Sequence, residues 1–160
     1  MAQSFRRKPN RLPIEAYRGP RVYSLTLASG GRRRRFIYAG LVSACVAELE
    51  VEARKHNVRV YAYCFMPGHL HLLVHGGVRT FLPDFVHDFK QVTGNAFKDS
   101  AGGALWQRSY YDHIVRSDEG VLQVARYIAA NPVRAGLVDN ACLYPYTGSL
   151  DWDRAALVEA

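Results

Sequence analysis

The stretch from His69 to His75 reads HLHLLVH, and its alternation leaves little choice of conformation. In an extended strand successive side chains point to opposite faces, so Leu70, Leu72 and Val74 share one face while His69, His71, Leu73 and His75 share the other. The aliphatic face needs apolar cover, and the second face carries three imidazoles. Such a strand also needs partners. The preceding Arg59–Met66, rich in β-branched and aromatic residues, is cut off by Pro67-Gly68 immediately before it, so the two runs are expected to pair as a hairpin.

Around the hairpin the pattern repeats in kind. Arg21–Ser29 (RVYSLTLAS) separates onto two faces as a strand, and Gly30 to Arg35 reads as a turn. From Phe36 to Asn57, apolar residues at Tyr38, Leu41, Val42, Cys45, Leu49 and Ala53 have helical spacing, as do Leu82, Phe85, Val86, Phe89, Val92, Ala96 and Phe97 farther on. Leu105–Arg116 returns to a strand-like composition. The order βαββαβ predicts an α+β fold of the ferredoxin-like, split βαβ type, with both crossover helices on one face of an antiparallel sheet and the other face left available. Ser117 is then expected to cap a helix, with Asp118 and Glu119 in its first turn, running to about Ala130. Asn131 as a new N-cap and Pro132 at the first position would start a short helical turn stopped by Gly136. At 160 residues the chain fits one domain over 21–150, with a basic arm at 1–20 and a tail at 151–160.

Charge is concentrated at one end. Residues 1–35 hold ten basic side chains against the single acid Glu15, whereas the other 125 residues carry eleven basic and thirteen acidic ones. A positive excess confined to one arm and one turn, Arg32, Arg33, Arg34 and Arg35, suits a polyanion, first of all nucleic acid; a solvated basic tail is the plain alternative. No apolar run approaches the roughly 18 residues of a membrane span, and Met1 to Lys8 lacks the apolar stretch of a secretory signal, so the expected location is the cytoplasm, at the nucleoid, with no membrane partner. Three cysteines without close pairing (Cys45, Cys64, Cys142) signal neither a disulfide framework nor a cysteine zinc site.

Two sets of residues carry chemistry. His69 and His71, about 7 Å apart along one strand face, can tilt onto a single ion, and oxygen ligands with phosphate would make that site suit Mg²⁺ or Mn²⁺. Tyr127, in ARYIAANP, stands off the Val121, Leu122, Ala125, Ile128 stripe, with Asn131 following at i+4 on its face. A phenol beside a metal and fixed charges can attack phosphorus as phenolate and form a phosphotyrosine. Read without further support, the histidines are equally an ordinary strand pair, Tyr127 a packing residue and Asn131 a cap. No G-x-x-x-x-G-K-[ST] phosphate loop occurs.

Three segments in order, YCFMPGHLHLLVHG (Tyr63–Gly76), LWQRSYYDHIVR (Leu105–Arg116) and ARYIAANPVRAGLV (Ala125–Val138), resemble those of the REP-associated tyrosine transposases, the single-tyrosine branch of the HUH nucleases. The resemblance runs from about Arg21 to Leu150. It implies that His69 and His71 are the metal-binding pair, Tyr127 the nucleophile and Asn131 a further metal ligand. It also implies cleavage of single-stranded DNA beside hairpins, leaving a 5′-phosphotyrosine and a free 3′-OH, by a monomer or homodimer using Mg²⁺ or Mn²⁺. Arg108 joins Arg32 to Arg35 as a candidate DNA contact. The chain departs from the family pattern at Gly68, where Asn is common, and at Ala129 and Ala130, one of which is commonly polar or aromatic. Two other readings use the same residues: a hairpin-binding regulator that has lost cleavage, and a metal-dependent nuclease whose nucleophile is water.

Overall fold

The computed structural model describes residues 11–98, 102–117 and 119–158. Five strands form one antiparallel sheet: β1 (Val22–Ala28), β2 (Val58–Met66), β3 (His69–Gly76), β4 (Tyr111–Val115) and the short β5 (Thr147–Gly148), in the order β4-β1-β3-β2-β5. The expected hairpin is β2–β3. Helices α1 (Ala39–Lys55) and α2 (Leu82–Ala96) are the two crossovers, each longer in pattern than in fact by a residue or more at its ends. Tyr38, placed in the α1 stripe by spacing, lies before the helix and is exposed.

Both crossover helices cover the aliphatic face. Tyr23, Leu25 and Leu27 of β1 and Leu70, Leu72 and Val74 of β3 pack there against Val42, Cys45 and Leu49 of α1 and Phe85, Val86 and Phe89 of α2. The other face is not left open as expected. Helices α3 (Val121–Ala129) and α5 (Ala155–Val158) lie over it, and Ala125, Ile128, Ala129 and Leu157 form a second core with Ala62, Cys64, Met66 and Leu73. Strand β2 serves both cores by changing parity: a register shift between Val60 and Ala62 turns Val58 and Val60 towards one core but Ala62, Cys64 and Met66 towards the other. Residues outside 21–150 also pack on the sheet. Tyr17 is buried and donates to the Asp112 carboxylate at 2.6 Å, and Trp152 stacks on Tyr61 with ring centroids 4.4 Å apart.

Cys45 and Cys64 are buried and Cys142 is exposed, all as free thiols; burial pushes Cys45 to about 12 and Cys64 to about 11, which leaves both inert. Burial likewise raises Tyr17, Tyr23 and Tyr63 above the ordinary phenol value and takes Tyr110 and Tyr144 to about 12. Above pH 10 the unfolded chain loses these protons while the folded chain keeps them, so stability falls as pH rises, by about 1.4 kcal/mol per unit for each such group. Tyrosinate absorbance followed with circular dichroism should therefore show some of the ten tyrosines titrating before unfolding and the rest only with it. A single step near pH 10 with the fold intact would contradict this.

Candidate active site

Strand β3 begins at His69, directly after the Pro67-Gly68 turn, and runs with its imidazoles on the face roofed by α3. The Nε2 atoms of His69 and His71 lie 3.0 Å apart, their rings nearly perpendicular at 88°. That separation suits two imidazole nitrogens on one divalent ion at metal–nitrogen distances of about 2.1 Å. Across the sheet, Thr26 of β1 pairs with His71 and sets Oγ1 3.2 Å from its Nδ1, holding the ring so that Nε2 faces His69. Burial, then the neighbouring His69 and Arg134, push His71 down to about 4; burial, then Arg32, lower His69. Both rings are thus neutral at physiological pH, the form that donates a lone pair to a metal. His75 lies outside this pair. Its Nδ1 is 3.1 Å from the Tyr61 hydroxyl and its ring stacks on Tyr61.

Helix α3 starts later than expected. Gly120, at φ +69°, occupies the N-cap position, and Ser117 does not cap. Glu119 instead folds back, accepting from the Arg116 amide and lying 3.1 Å from His113 Nε2, while Asp118 lies outside the described residues. Ala125, Ile128 and Ala129 face the sheet, the two alanines allowing close approach, but Leu122 is 41% exposed rather than part of the buried stripe. Tyr127 is 64% exposed and lies outside this buried stripe.

Asn131 is not an N-cap. Ala130 occupies the cap position of both α3 and the short α4 (Asn131–Arg134), with Ala130 donating to the Arg126 carbonyl and Arg134 to the Ala130 carbonyl, and Pro132 stands in the first turn of α4 as expected. Side-chain contacts bring Tyr127, Asn131 and Arg134 together across this junction. The Arg134 guanidinium lies 3.7 Å from the Tyr127 ring centroid and donates at 2.8 Å to both the Tyr127 carbonyl and Asn131 Oδ1. Asn131 Nδ2 donates to the Ile128 carbonyl, and among the described residues neither imidazole hydrogen-bonds to Asn131. Arg134, close enough to act electrostatically on His71, is the site residue that sequence reasoning missed. Its contact with Tyr127 runs across the α3–α4 junction, where no single helical spacing announces it.

The arginine turn reaches the same site from another side. Gly68 lets it approach: a Cβ at that position would stand 3.3 Å from the Arg32 carbonyl oxygen, so a side chain there would crowd the turn. Arg32, Arg33 and Arg34 are exposed, and Arg33 donates to the Gly102 carbonyl at 3.1 Å. Arg35 corrects the expectation of four surface arginines: it is only 9% exposed, drawn inward beside buried Phe36, and its guanidinium lies against Gly103. Arg108 is exposed in the loop before β4, away from the histidines. Glu52, His56 and Asp88 also bring three metal-capable atoms within 4.8 Å of one another, between α1 and α2. Lys55 Nζ already sits there, 2.7 Å from Asp88 and 3.1 Å from Glu52, so the cluster closes as an ion-pair network on the far side of the sheet.

Comparison with known proteins bears on family and fold. The family model "Transposase IS200 like" matches residues 25–131. An uncharacterized protein of Haemophilus influenzae is 30% identical over 48% of this chain and 56% of its own length, and a provisionally named REP-associated tyrosine transposase of that organism is 28% identical over 54% and 56%. The chain thus spans just over half the length of these curated relatives. A solved REP-associated tyrosine transposase bound to a REP hairpin superposes with TM-score 0.72 at 17% identity, over 91% of this chain and 82% of that one. A crystal structure of a provisionally named transposase from Deinococcus radiodurans gives 0.54 at 23% identity, over 70% and 91%. With the family match extending from mid-β1 through the tyrosine helix to Asn131, this chain belongs to the IS200-like transposases and has the fold of a REP-associated tyrosine transposase.

Proposed function

We propose that this chain cuts and rejoins single-stranded DNA beside hairpins, with Tyr127 as nucleophile and a divalent ion, Mg²⁺ or Mn²⁺, held by His69 and His71. The observation that carries the reading is the convergence of the two Nε2 atoms, 3.0 Å apart, under the helix that presents the exposed Tyr127. The hairpin comes from the solved relative's own ligand. When bound, the ion polarises the scissile phosphate and offsets charge developing on it. Tyr127 Oη, giving up its proton to solvent, bonds to phosphorus; the bond from phosphorus to the 3′ oxygen breaks, and that oxygen takes up a proton to leave as 3′-OH. Arg134 fixes the Tyr127 ring from one side, and Asn131 completes that bracket or turns its free lone pair to the ion. Arg32, Arg33 and Arg34 hold neighbouring phosphates.

The test follows from the polarity of the break. With Mg²⁺ or Mn²⁺, a hairpin oligonucleotide labelled at its 3′ end should run with the protein on a denaturing gel, while the same oligonucleotide labelled at its 5′ end should yield a shortened free fragment. Chelator should abolish both. Cleavage of both probes with no adduct would mean that water is the nucleophile, and binding with no cleavage would mean a regulator. Arg134→Gln should slow adduct formation on the order of tenfold or more with a smaller change in oligonucleotide affinity. Arg134→Lys should not restore it, since a lysine cannot bond both oxygens and cover the ring at once. A wild-type rate in both variants would remove Arg134 from the machinery.

A further inference from the structure

A cleft of about 850 Å³ lies between the outer side of α2 and the loop that leads into β4. It sits on the crossover-helix side of the sheet and shares no lining residue with the histidine site. Four cations from three separate stretches line it: Arg11, Lys90, Lys98 and Arg108. Among the described residues no carboxylate lines it and none of the four has an ion-pair partner. Arg11 and Lys90 both lie over the Tyr110 ring, 4.9 and 5.9 Å from its centroid, near enough that Arg11, after burial, lowers Lys90. Asp112, which acts on Tyr110, accepts from the Tyr17 hydroxyl. Like charges gathered at one cleft repel one another, and an anion joining them relieves that repulsion. The Tyr110 hydroxyl is buried there with no hydrogen-bond partner among the described residues.

The remaining polar lining is suited to bases rather than to phosphate alone. Gln91, Asn95 and Gln107 present carboxamides, which both donate and accept and so match base edges. The cleft is also tied to the catalytic side. Its loop wall is bonded to the end of β1 and to the arginine turn, through Gly30 to the Leu105 carbonyl, Gln107 to the Ala28 carbonyl and Arg33 to the Gly102 carbonyl. That turn packs on Gly68, next to His69. Lys90 holds the loop from the other side, donating to the carbonyls of Gln107 and Arg108 at 2.6 and 3.0 Å.

We propose that this cleft binds a single-stranded segment of the DNA substrate, passed on by the arginine turn to the histidine pair. The proposal rests on the single-strand cutting put forward above and gives that substrate its second point of attachment. A cleft of this volume is the size of a small-ligand site, which seats one strand and not a duplex. Stacking on Tyr110 and contacts from the carboxamides would make the flanking sequence matter, whereas the arginine turn grips phosphates without regard to sequence.

The experiment uses the full chain carrying Tyr127→Phe, so that binding is read without cleavage. Titrating a fluorescent single-stranded oligodeoxynucleotide by anisotropy at several salt concentrations, Arg11→Gln, Lys98→Gln and Arg108→Gln combined should flatten the log–log salt slope by about 2 and weaken binding at least tenfold. Lys90 is left in place because it pins the loop, and an unchanged thermal midpoint shows that the variant is folded. Gln91→Ala with Asn95→Ala should narrow the difference in affinity between oligonucleotides of different sequence. Wild-type slope and affinity in the triple variant would overturn the proposal. So would an equal loss for a duplex of the same sequence, or competition by a mononucleotide at the concentration where the oligonucleotide binds. Absence of a covalent adduct with the wild-type chain, alongside a flattened slope in the variant, would instead count against the cutting reaction while leaving the cleft as a strand-binding site.

Discussion

Tyr127→Phe is expected to eliminate the covalent DNA adduct entirely while oligonucleotide affinity stays within about twofold of wild type. The substitution removes one oxygen and keeps the ring, so the contact with Arg134 at 3.7 Å survives and the helix that carries it is undisturbed. With no hydroxyl there is no bond to phosphorus, and the loss is not graded, unlike that of a residue that merely orients the nucleophile. The outcome also separates the tyrosines from one another. Tyr111 is the serious alternative: it pairs with Thr26, which pairs in turn with His71, so the three form one row across the sheet on the histidine face, and Tyr111 is 62% exposed. Tyr110 is not, since burial holds it at about 12 and its hydroxyl is enclosed on the cleft side. An adduct that persists in Tyr127→Phe and vanishes in Tyr111→Phe would move the nucleophile to β4.

How far the sequence could be read depended on whether each residue's environment was set locally. Strand β3 was legible because both its faces are committed along its whole length, Leu70, Leu72 and Val74 to one core and the histidines to the other face. Strand β2 was legible as a strand but not face by face, because the register shift after Val60 exchanges its faces and no local residue pattern announces it. The start of α3 was misread for a related reason. Ser117 is a good cap in isolation, but the Glu119 side chain takes up the Arg116 amide and the chain turns once more, through Gly120 at positive φ, before the helix begins.

At the site, the histidine pair and the tyrosine were readable as residue types, and the resemblance ordered them. What sequence could not give was their surroundings. Arg34 and Arg35 are neighbours of one kind, yet one is exposed and the other is buried beside Phe36, a difference set by how the turn packs on the loop at Gly102 and Gly103. Asn131 looked like the start of a new helix because proline follows it, and a proline near the start of a helix is ordinary. In the fold a new short helix does start there, capped at Ala130 rather than Asn131, and the Arg134 side chain reaches back across the junction to the Tyr127 ring and carbonyl.

The second large effect is expected at the histidines. His69→Ala combined with His71→Ala should lower adduct formation on the order of 10³-fold or more, the consequence of losing several kcal/mol of charge stabilisation at the scissile phosphate. Mn²⁺ binding, followed by calorimetry on the chain with bound oligonucleotide, should fall with it. Thr26→Val should act on the same site more mildly, weakening metal binding by roughly 10–100-fold, because the His71 ring loses the hydroxyl that faces its Nδ1 at 3.2 Å. The cluster of Glu52, His56 and Asp88 supplies the control. Its carboxylates already face Lys55, and it lies between α1 and α2 behind the sheet, so Glu52→Gln with Asp88→Asn should alter stability but leave Mn²⁺ binding and adduct formation in place. If metal dependence instead followed Glu52 and Asp88 and ignored the histidine pair, the 3.0 Å approach of the two imidazoles would be a hydrogen bond between neutral rings and the ion's place would lie elsewhere.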